Sequence, residues 1–212
     1  MSAPHIVIVT GAAGGIGYNI VCELLKKHDA CVVATDIVEG PLGGLKEEYK
    51  DKMRVVLHYA IPRLRETKGT VVAATSGAGL GPLFSGWGFY GMSKAAVAFN
   101  IRQLSLEEKD ITAIGISPGL CDTKMIQDLR AGKQEGWTAQ DIQDYEKFVA
   151  QIPMALPSVT ATSYASALVH RTPELSGVIV DYDDPRLPID NPLKYKSKQN
   201  PTNYAEFSPQ VK

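Results

Sequence analysis

Cysteine and histidine are scarce in this 212-residue chain, and the few present do not cluster. Cys22, Cys31 and Cys121 are an odd number without metal-ligand spacing, so neither a disulfide framework nor a thiolate zinc site is expected. Cys22 falls in an apolar helical stretch and Cys31 opens an apolar run, the setting of small buried hydrophobes in a reducing compartment. His5, His28, His58 and His170 are scattered, and no metal is called for. An excess of charge of one sign is also missing: Lys plus Arg number 22 against 23 for Asp plus Glu, a net charge of −1. That balance offers no basic field for nucleic acid or an anionic lipid surface. Long hydrophobic runs are absent as well. Ile6 to Val9 is stopped by Thr10 and Gly11, too short for a signal segment or a membrane span, and Gln210-Val211-Lys212 is no peroxisomal address. A cytoplasmic protein with neither nucleic-acid nor membrane partners is the expectation.

What is present is the composition of a folded domain: 44% hydrophobic and 21% charged residues, enough to bury a core without staples. Ile6-Val7-Ile8-Val9 is a continuous β-branched run, which predicts a strand buried on both faces. Ile16, Ile20, Val21, Leu24 and Leu25 then recur at helical spacing, with Lys26, Lys27 and His28 at the helix's negative end. Cys31 to Asp36 reads as a second strand, Leu45 to Lys52 as a surface helix, and Met53 to Leu57 as a strand that merges into a helical pattern over 58–68. Further strands are predicted at Thr70–Thr75, Ile111–Ile116 and Val178–Tyr182, and helices at Tyr90–Glu108, Thr138–Gln151 and Ser158–His170. This alternation predicts an α/β fold, a Rossmann-type doubly wound parallel sheet with helices on both faces. Residues 1–184 form that domain, and 185–212 are a polar tail rich in Pro, Asn and Lys.

Two constellations carry chemistry. Thr10-Gly11-Ala12-Ala13-Gly14-Gly15-Ile16-Gly17 lies between the first strand and first helix, where a dinucleotide-binding turn belongs. Gly11 permits the tight turn, Gly15 lets backbone approach a pyrophosphate, and Gly17 allows close helix–strand packing. The helix's free N–H groups then face the phosphates. Asp36 ends the next strand about 20 residues on, placed to accept hydrogen bonds from ribose hydroxyls and to repel a 2′-phosphate. Gly14 stands where Arg or Lys would hold that phosphate, so NAD is favoured over NADP. The lysine of a P-loop is lacking, which argues against an NTPase.

Tyr90 and Lys94 are four residues apart, on one face of a helix, where an ammonium can make the phenol a usable acid or base. Ser76 ends a predicted strand upstream, its hydroxyl placed to bond a substrate carbonyl. Ser76 as a hydrolase nucleophile is disfavoured, because Ala74-Thr75-Ser76-Gly77-Ala78 lacks the outer glycines of a nucleophile elbow.

With Thr10 to Gly17, Asp36, Ser76, Tyr90 to Lys94 and Pro118 to Thr123 in this order, the chain resembles the short-chain dehydrogenase/reductase family up to about residue 184. The resemblance implies an NAD(P)-dependent oxidoreductase moving hydride between nicotinamide and a secondary alcohol or carbonyl substrate. Tyr90 would be the general acid/base, Ser76 would orient the carbonyl or alcohol, and Lys94 would tune the tyrosine and hold the nicotinamide ribose. Thr10, Gly11, Gly15, Ile16, Gly17 and Asp36 would bind the cofactor, with Pro118, Gly119 and Thr123 along the nicotinamide side. The Ser76–Tyr90 separation is one residue longer than usual for the family, which a loop extension absorbs.

The same resemblance exposes a gap. Asp36 and Tyr90 are 54 positions apart, and the family places two more strand–helix units there, about 60 residues at roughly 30 per unit. An Asp bracketing adenine, an Asn-Asn-Ala-Gly element and the helix Asn of the proton relay are all missing, with the join near Val56-Leu57. In the family's strand order, 3-2-1-4-5-6-7, the lost fourth strand lies at the sheet centre. Three outcomes are open: a hole beside two core strands, closure of the Thr70 strand onto the Ile6 strand with a shift of ~4.8 Å in Ser76 and Tyr90, or Met53–Leu57 in the vacant place. The alternative function is accordingly a non-catalytic nucleotide-binding or interaction protein, a shortened isoform or a truncated gene model. Met125 to Pro157 would supply the substrate lid, with Met125, Leu129, Trp137 and Phe148 as apolar contacts or ordinary helix packing. Family members associate through the fifth and sixth helices, which implies a homo-oligomer, although the fifth is truncated here.

Overall fold

β-Branched residues build the strands and the glycine turn aims the first helix. The computed structural model describes residues 5–35, 41, 60–81, 85–133 and 136–189. Strand β1 (Ile6–Thr10) leads through the turn into α1 (Gly15–Lys27), and β2 (Cys31–Thr35) returns parallel to β1, with Ile6 opposite Cys31 and Thr10 opposite Thr35. Helix α2 (Ala60–Thr67), strand β3 (Thr70–Ala74), a single 3₁₀ turn (Gly77–Gly79) and the long helix α3 (Gly88–Glu107) follow. Strand β4 (Thr112–Ser117) is succeeded by the two-residue β5 (Leu120–Cys121), α4 (Lys124–Arg130), α5 (Ala139–Val149), β6 (Met154–Ala155), α6 (Pro157–Val169) and β7 (Ile179–Asp181).

All pairings among the described strands are parallel: β1 with β2, β3 with β4, β4 with β7, and β5 with β6. Every residue of β4 is buried, as expected for a strand covered on both faces. One apolar core joins Val7 and Val9 of β1, Val32 and Ala34 of β2, Ile114 and Ile116 of β4, and Val180 of β7 beneath α1 and α6. Ala161 and Ala165 are fully buried, and such small residues let α6 lie close against α1. Helix α3 packs on β3 and β4 through Ala98 and Ile101, which belong to neither apolar cluster. A bidentate pair, Arg65 donating from Nε (2.6 Å) and Nη2 (2.5 Å) to Glu108, ties α2 to the end of α3.

Among the described residues the sheet is interrupted. β1 and β3 are not hydrogen-bonded to each other, and no strand stands between them among the described residues. Closure of the Thr70 strand onto the Ile6 strand does not occur, and the choice between a hole and Met53–Leu57 in the vacant place falls on residues outside those described. The expectation that Ile6 to Val9 is buried on both faces is overturned, because only the face toward α1 and α6 is covered among the described residues. Val7 and Val9 are 5% and 6% exposed, but Ile6 and Ile8, on the other face, are 70% and 46% exposed. Asp36, Leu45–Lys52 and Met53–Leu57 lie outside the described residues. The packed body also runs past residue 184: Leu187 is buried in the core, Ile189 packs against it, and Ser166 donates to the Pro188 carbonyl.

Candidate active site

Parallel strands bring their carboxyl ends to one edge, and the segments that follow β1, β3 and β4 there, loops and the helices they lead into, hold the described candidate residues. Gly11 adopts φ +64°, and a Cβ on Gly17 would stand 2.0 Å from the Gly11 carbonyl oxygen, so the first turn of α1 can sit on the loop only with glycine there. Gly14 accepts from the Tyr18 N–H at 2.8 Å, and neither a capping side chain nor an acidic residue covers the start of α1. The helix therefore presents uncapped donors, the polarity a phosphate needs. Thr10 is exposed at the end of β1, while Ile16 packs against the core.

The loop after β4 reaches this turn. Gly119 takes φ +64° beside the Tyr182 ring, and the Thr123 Cγ2 methyl lies 3.0 Å from where a Gly15 Cβ would be. Gly15 and Thr123, far apart in sequence, thus share one wall, with half-buried Pro118 at the loop's entry.

Ser76 begins the 3₁₀ turn that follows β3, its Oγ accepting from the Ala78 N–H at 3.2 Å. This turn rests directly on α3: a Cβ on Gly91 would lie 3.0 Å from the Ala78 carbonyl oxygen, and one on Gly79 would lie 2.5 Å from the Ala95 nitrogen. Two glycines thereby bring Ser76 down onto the helix that carries Tyr90 and Lys94. Lys94 Nζ donates to the Ala74 carbonyl at 3.0 Å and stands 5.8 Å from the Tyr90 ring centroid. Its half-buried ammonium is held below the ordinary lysine value by desolvation. The Tyr90 ring is 37% exposed, open to a substrate.

Sequence reasoning named Leu129, Trp137 and Phe148 as apolar contacts and missed Trp87 and Tyr145, which complete an aromatic wall beside Tyr90. Trp87 meets Tyr90 edge-on at 5.8 Å, Tyr145 at 5.9 Å and Phe148 at 6.4 Å, and Trp137 meets Tyr145 at 5.6 Å. Leu120, Leu129 and Ile126 close the cluster, whereas Met125, expected to face the substrate, is 59% exposed. The spacing of Tyr145, Phe148 and Val149 on α5 was the available signal. Helix α5 is fixed by a capping box between Thr138 and Asp141, and Ser85 adds a hydrogen bond to the Asp141 carboxylate.

His5, His28 and His170 lie at the opposite, amino-terminal edge of the strands, where His28 and His170 end α1 and α6. Ser76 therefore has no histidine base among the described residues. Burial pushes the Cys121 thiol up, which keeps it from acting as a thiolate. No group of three or more metal-ligating side chains occurs among the described residues, and no helix there is long and apolar enough to cross a membrane.

A family model described as short chain dehydrogenase matches residues 53–134. An uncharacterized oxidoreductase of Saccharomyces cerevisiae, YIR035C, is 34% identical over 130 residues, 60% of this chain and 51% of that one. Its crystal structure superposes with a TM-score of 0.75 at 26% identity, covering 87% of this chain and 98% of that one. The benzil reductase ((S)-benzoin forming) IRC24 of the same yeast is 32% identical over 124 residues, 56% of this chain and 46% of that one. The chain spans about half the length of the curated relatives it matches.

Proposed function

Since the chain belongs to the short-chain dehydrogenase/reductase family, we propose that it is an NAD(P)-dependent oxidoreductase acting on a secondary alcohol or a carbonyl compound. The observation that carries this reading is the Ser76 turn seated on the Tyr90–Lys94 helix through Gly79 and Gly91. The glycine turn fits a dinucleotide: Gly17 leaves no room for a side chain, and the uncapped start of α1 offers donors to a pyrophosphate. A bound nicotinamide would supply or accept the hydride.

The chain's own residues do the rest. The α1 N–H groups hold the phosphates, and Thr123, against Gly15, bounds the pocket on the nicotinamide side. Ser76 turns its hydroxyl to the substrate oxygen, and Tyr90 gives that oxygen a proton in reduction or takes one in oxidation. Lys94 stabilises the tyrosinate with its positive charge. Asp36 accepts from the adenosine ribose hydroxyls, which makes NAD the preferred cofactor over NADP. An aromatic lid of Trp87, Trp137 and Phe148, together with the benzil reductase among the relatives, supports an aryl ketone as substrate.

The lack of a described strand joining β1 to β3 favours one second reading, a nucleotide-binding protein without turnover, since a misplacement of about 1 Å can reduce a rate roughly a hundredfold. Calorimetric titration with NAD and NADP, followed by turnover of wild type and Tyr90→Phe, separates the two. Tighter NAD binding and a loss of about 100-fold or more in kcat for Tyr90→Phe are expected. Equal turnover in Tyr90→Phe refutes the mechanism, and NAD binding without any wild-type turnover establishes the second reading.

A further inference from the structure

Tyr145 is 3% exposed, enclosed by the indoles of Trp87 and Trp137, and its hydroxyl is buried without a hydrogen-bond partner among the described residues. A phenol used only as filler normally finds an acceptor when buried. Tyr164 shows this within the same molecule, donating to the Ile116 carbonyl at 2.7 Å. Phe148, on the same helix and in the same cluster, shows what filler looks like where no acceptor is needed. The Tyr145 hydroxyl is therefore a donor waiting for an acceptor that the described residues do not provide.

Its position says what the acceptor is part of. Tyr90 and Tyr145 both lie within 6 Å of the Trp87 ring. Leu120, which packs against Tyr145, sits in the loop between Gly119 and Thr123 on the nicotinamide side. Burial above all pushes the Tyr145 hydroxyl up to about 12, with Arg130 opposing and Glu146 and then Tyr90 adding, so it stays protonated across neutral pH. Tyr145 thus differs from Tyr90 in kind: it holds its proton and can only present it.

We propose that Tyr145 determines specificity by donating a hydrogen bond to a second oxygen of the substrate, beside the carbonyl that Tyr90 serves, so that the site selects aryl ketones bearing an adjacent carbonyl or hydroxyl oxygen. The proposal rests on the oxidoreductase reading of the Tyr90 site. The aromatic walls take the aryl flank, Tyr90 and Ser76 take the reacting oxygen, and Tyr145 takes the neighbouring one.

The chain's two tryptophans, Trp87 and Trp137, both touch this cluster, so their fluorescence reports binding directly. The full chain with NAD present is titrated with 1-phenyl-1,2-propanedione and with propiophenone, which lacks the second oxygen. Wild type is expected to bind the dione about tenfold more tightly, because an unmet buried donor penalises the monoketone. Tyr145→Phe is expected to bind the two equally, with propiophenone affinity and Tm no lower than in wild type. A preference that survives in Tyr145→Phe overturns the proposal. So does equal affinity, or no quenching by either ketone, in wild type, a measurement that needs no variant to fold. Turnover of both ketones is measured in parallel with NADH as the hydride donor: its absence in wild type defeats the oxidoreductase reading while the binding preference is judged separately.

Discussion

At the scale of the residue, the site is defined as much by missing side chains as by present ones. Gly17 is the clearest case, because a methyl group there would lie 2.0 Å from backbone that cannot move without unmaking the turn. Gly17→Ala is expected to abolish nucleotide binding in calorimetry while leaving most of the fold, and a variant that binds NAD as tightly as wild type would remove the turn from the site. Lys94 gives a second test, through its protonation. Its folded-state pKa lies below the ordinary 10.5, so the unfolded chain holds the proton more tightly. Stability is highest above 10.5 and falls as the pH drops through the window beneath it, down to the folded-state value. Measured against Lys94→Met, which does not titrate, the wild-type Tm should gain on the variant as pH rises through that window; a constant difference would place the ammonium in water. Both residues stood out in the sequence because each belongs to a short local motif. Tyr145 did not, since its meaning depends on Trp87, 58 positions earlier and on another element.

At the scale of the element, the strands and long helices follow their sequence signals closely. The apolar period placed α1, α5 and α6 within a residue or two, and the β-branched runs placed β2, β3 and β4. Helix α4 and the two-residue pair β5 and β6 were not foreseen. They are too short for a period to show, and β5 pairs with β6 only through the tertiary fold. The face of β1 was misjudged for a related reason: a continuous apolar run shows what a strand could bury, not what stands beside it. Helix α5 owes its placement to polar contacts at its start. The hydroxyls of Ser85 and Thr138, with the Thr138 N–H, hold the Asp141 carboxyl below its ordinary value of 3.8. As pH falls the unfolded chain therefore takes up this proton first, so the contribution of the cap is complete above 3.8 and is lost as pH falls through the folded-state value. Asp141→Asn is expected to lower Tm at neutral pH, and the difference from wild type should close in strong acid. A difference that persists there would show that the carboxylate charge is not what anchors α5.

At the scale of the whole molecule, the consequence of the interrupted sheet is uneven stability. The β1–β2 pair is joined to β3, β4 and β7 through the core beneath α1 and α6, without a backbone ladder between them among the described residues. The resemblance to the family and the missing central block were legible in the sequence, because motif order and spacing survive a deletion, whereas the fate of the sheet was left open among three outcomes. How the two halves hold together was not legible, because it rests on Ala161, Ala165 and Tyr164 packing under strands far from them in sequence. A ladder distributes protection across a sheet, whereas a one-sided core allows β1, α1 and β2 to open as a unit below the global unfolding energy. Native-state hydrogen exchange should therefore show residues 6–10 and 31–35 exchanging through a lower-energy opening than residues 112–117. The glycine turn at the end of β1 meets Thr123 after β4, so a dinucleotide bound there touches both halves and should resist their separation. At 100 times its Kd, NAD stabilises any state that alone binds it by about 2.7 kcal/mol. If that state requires both halves in place, the added protection should fall chiefly on β1 and β2 and narrow their difference from β4. Uniform exchange across the three strands would show that the one-sided core already binds the halves into one cooperative unit. A β1–β2 pair left unprotected at saturating NAD would show that the nucleotide does not span them.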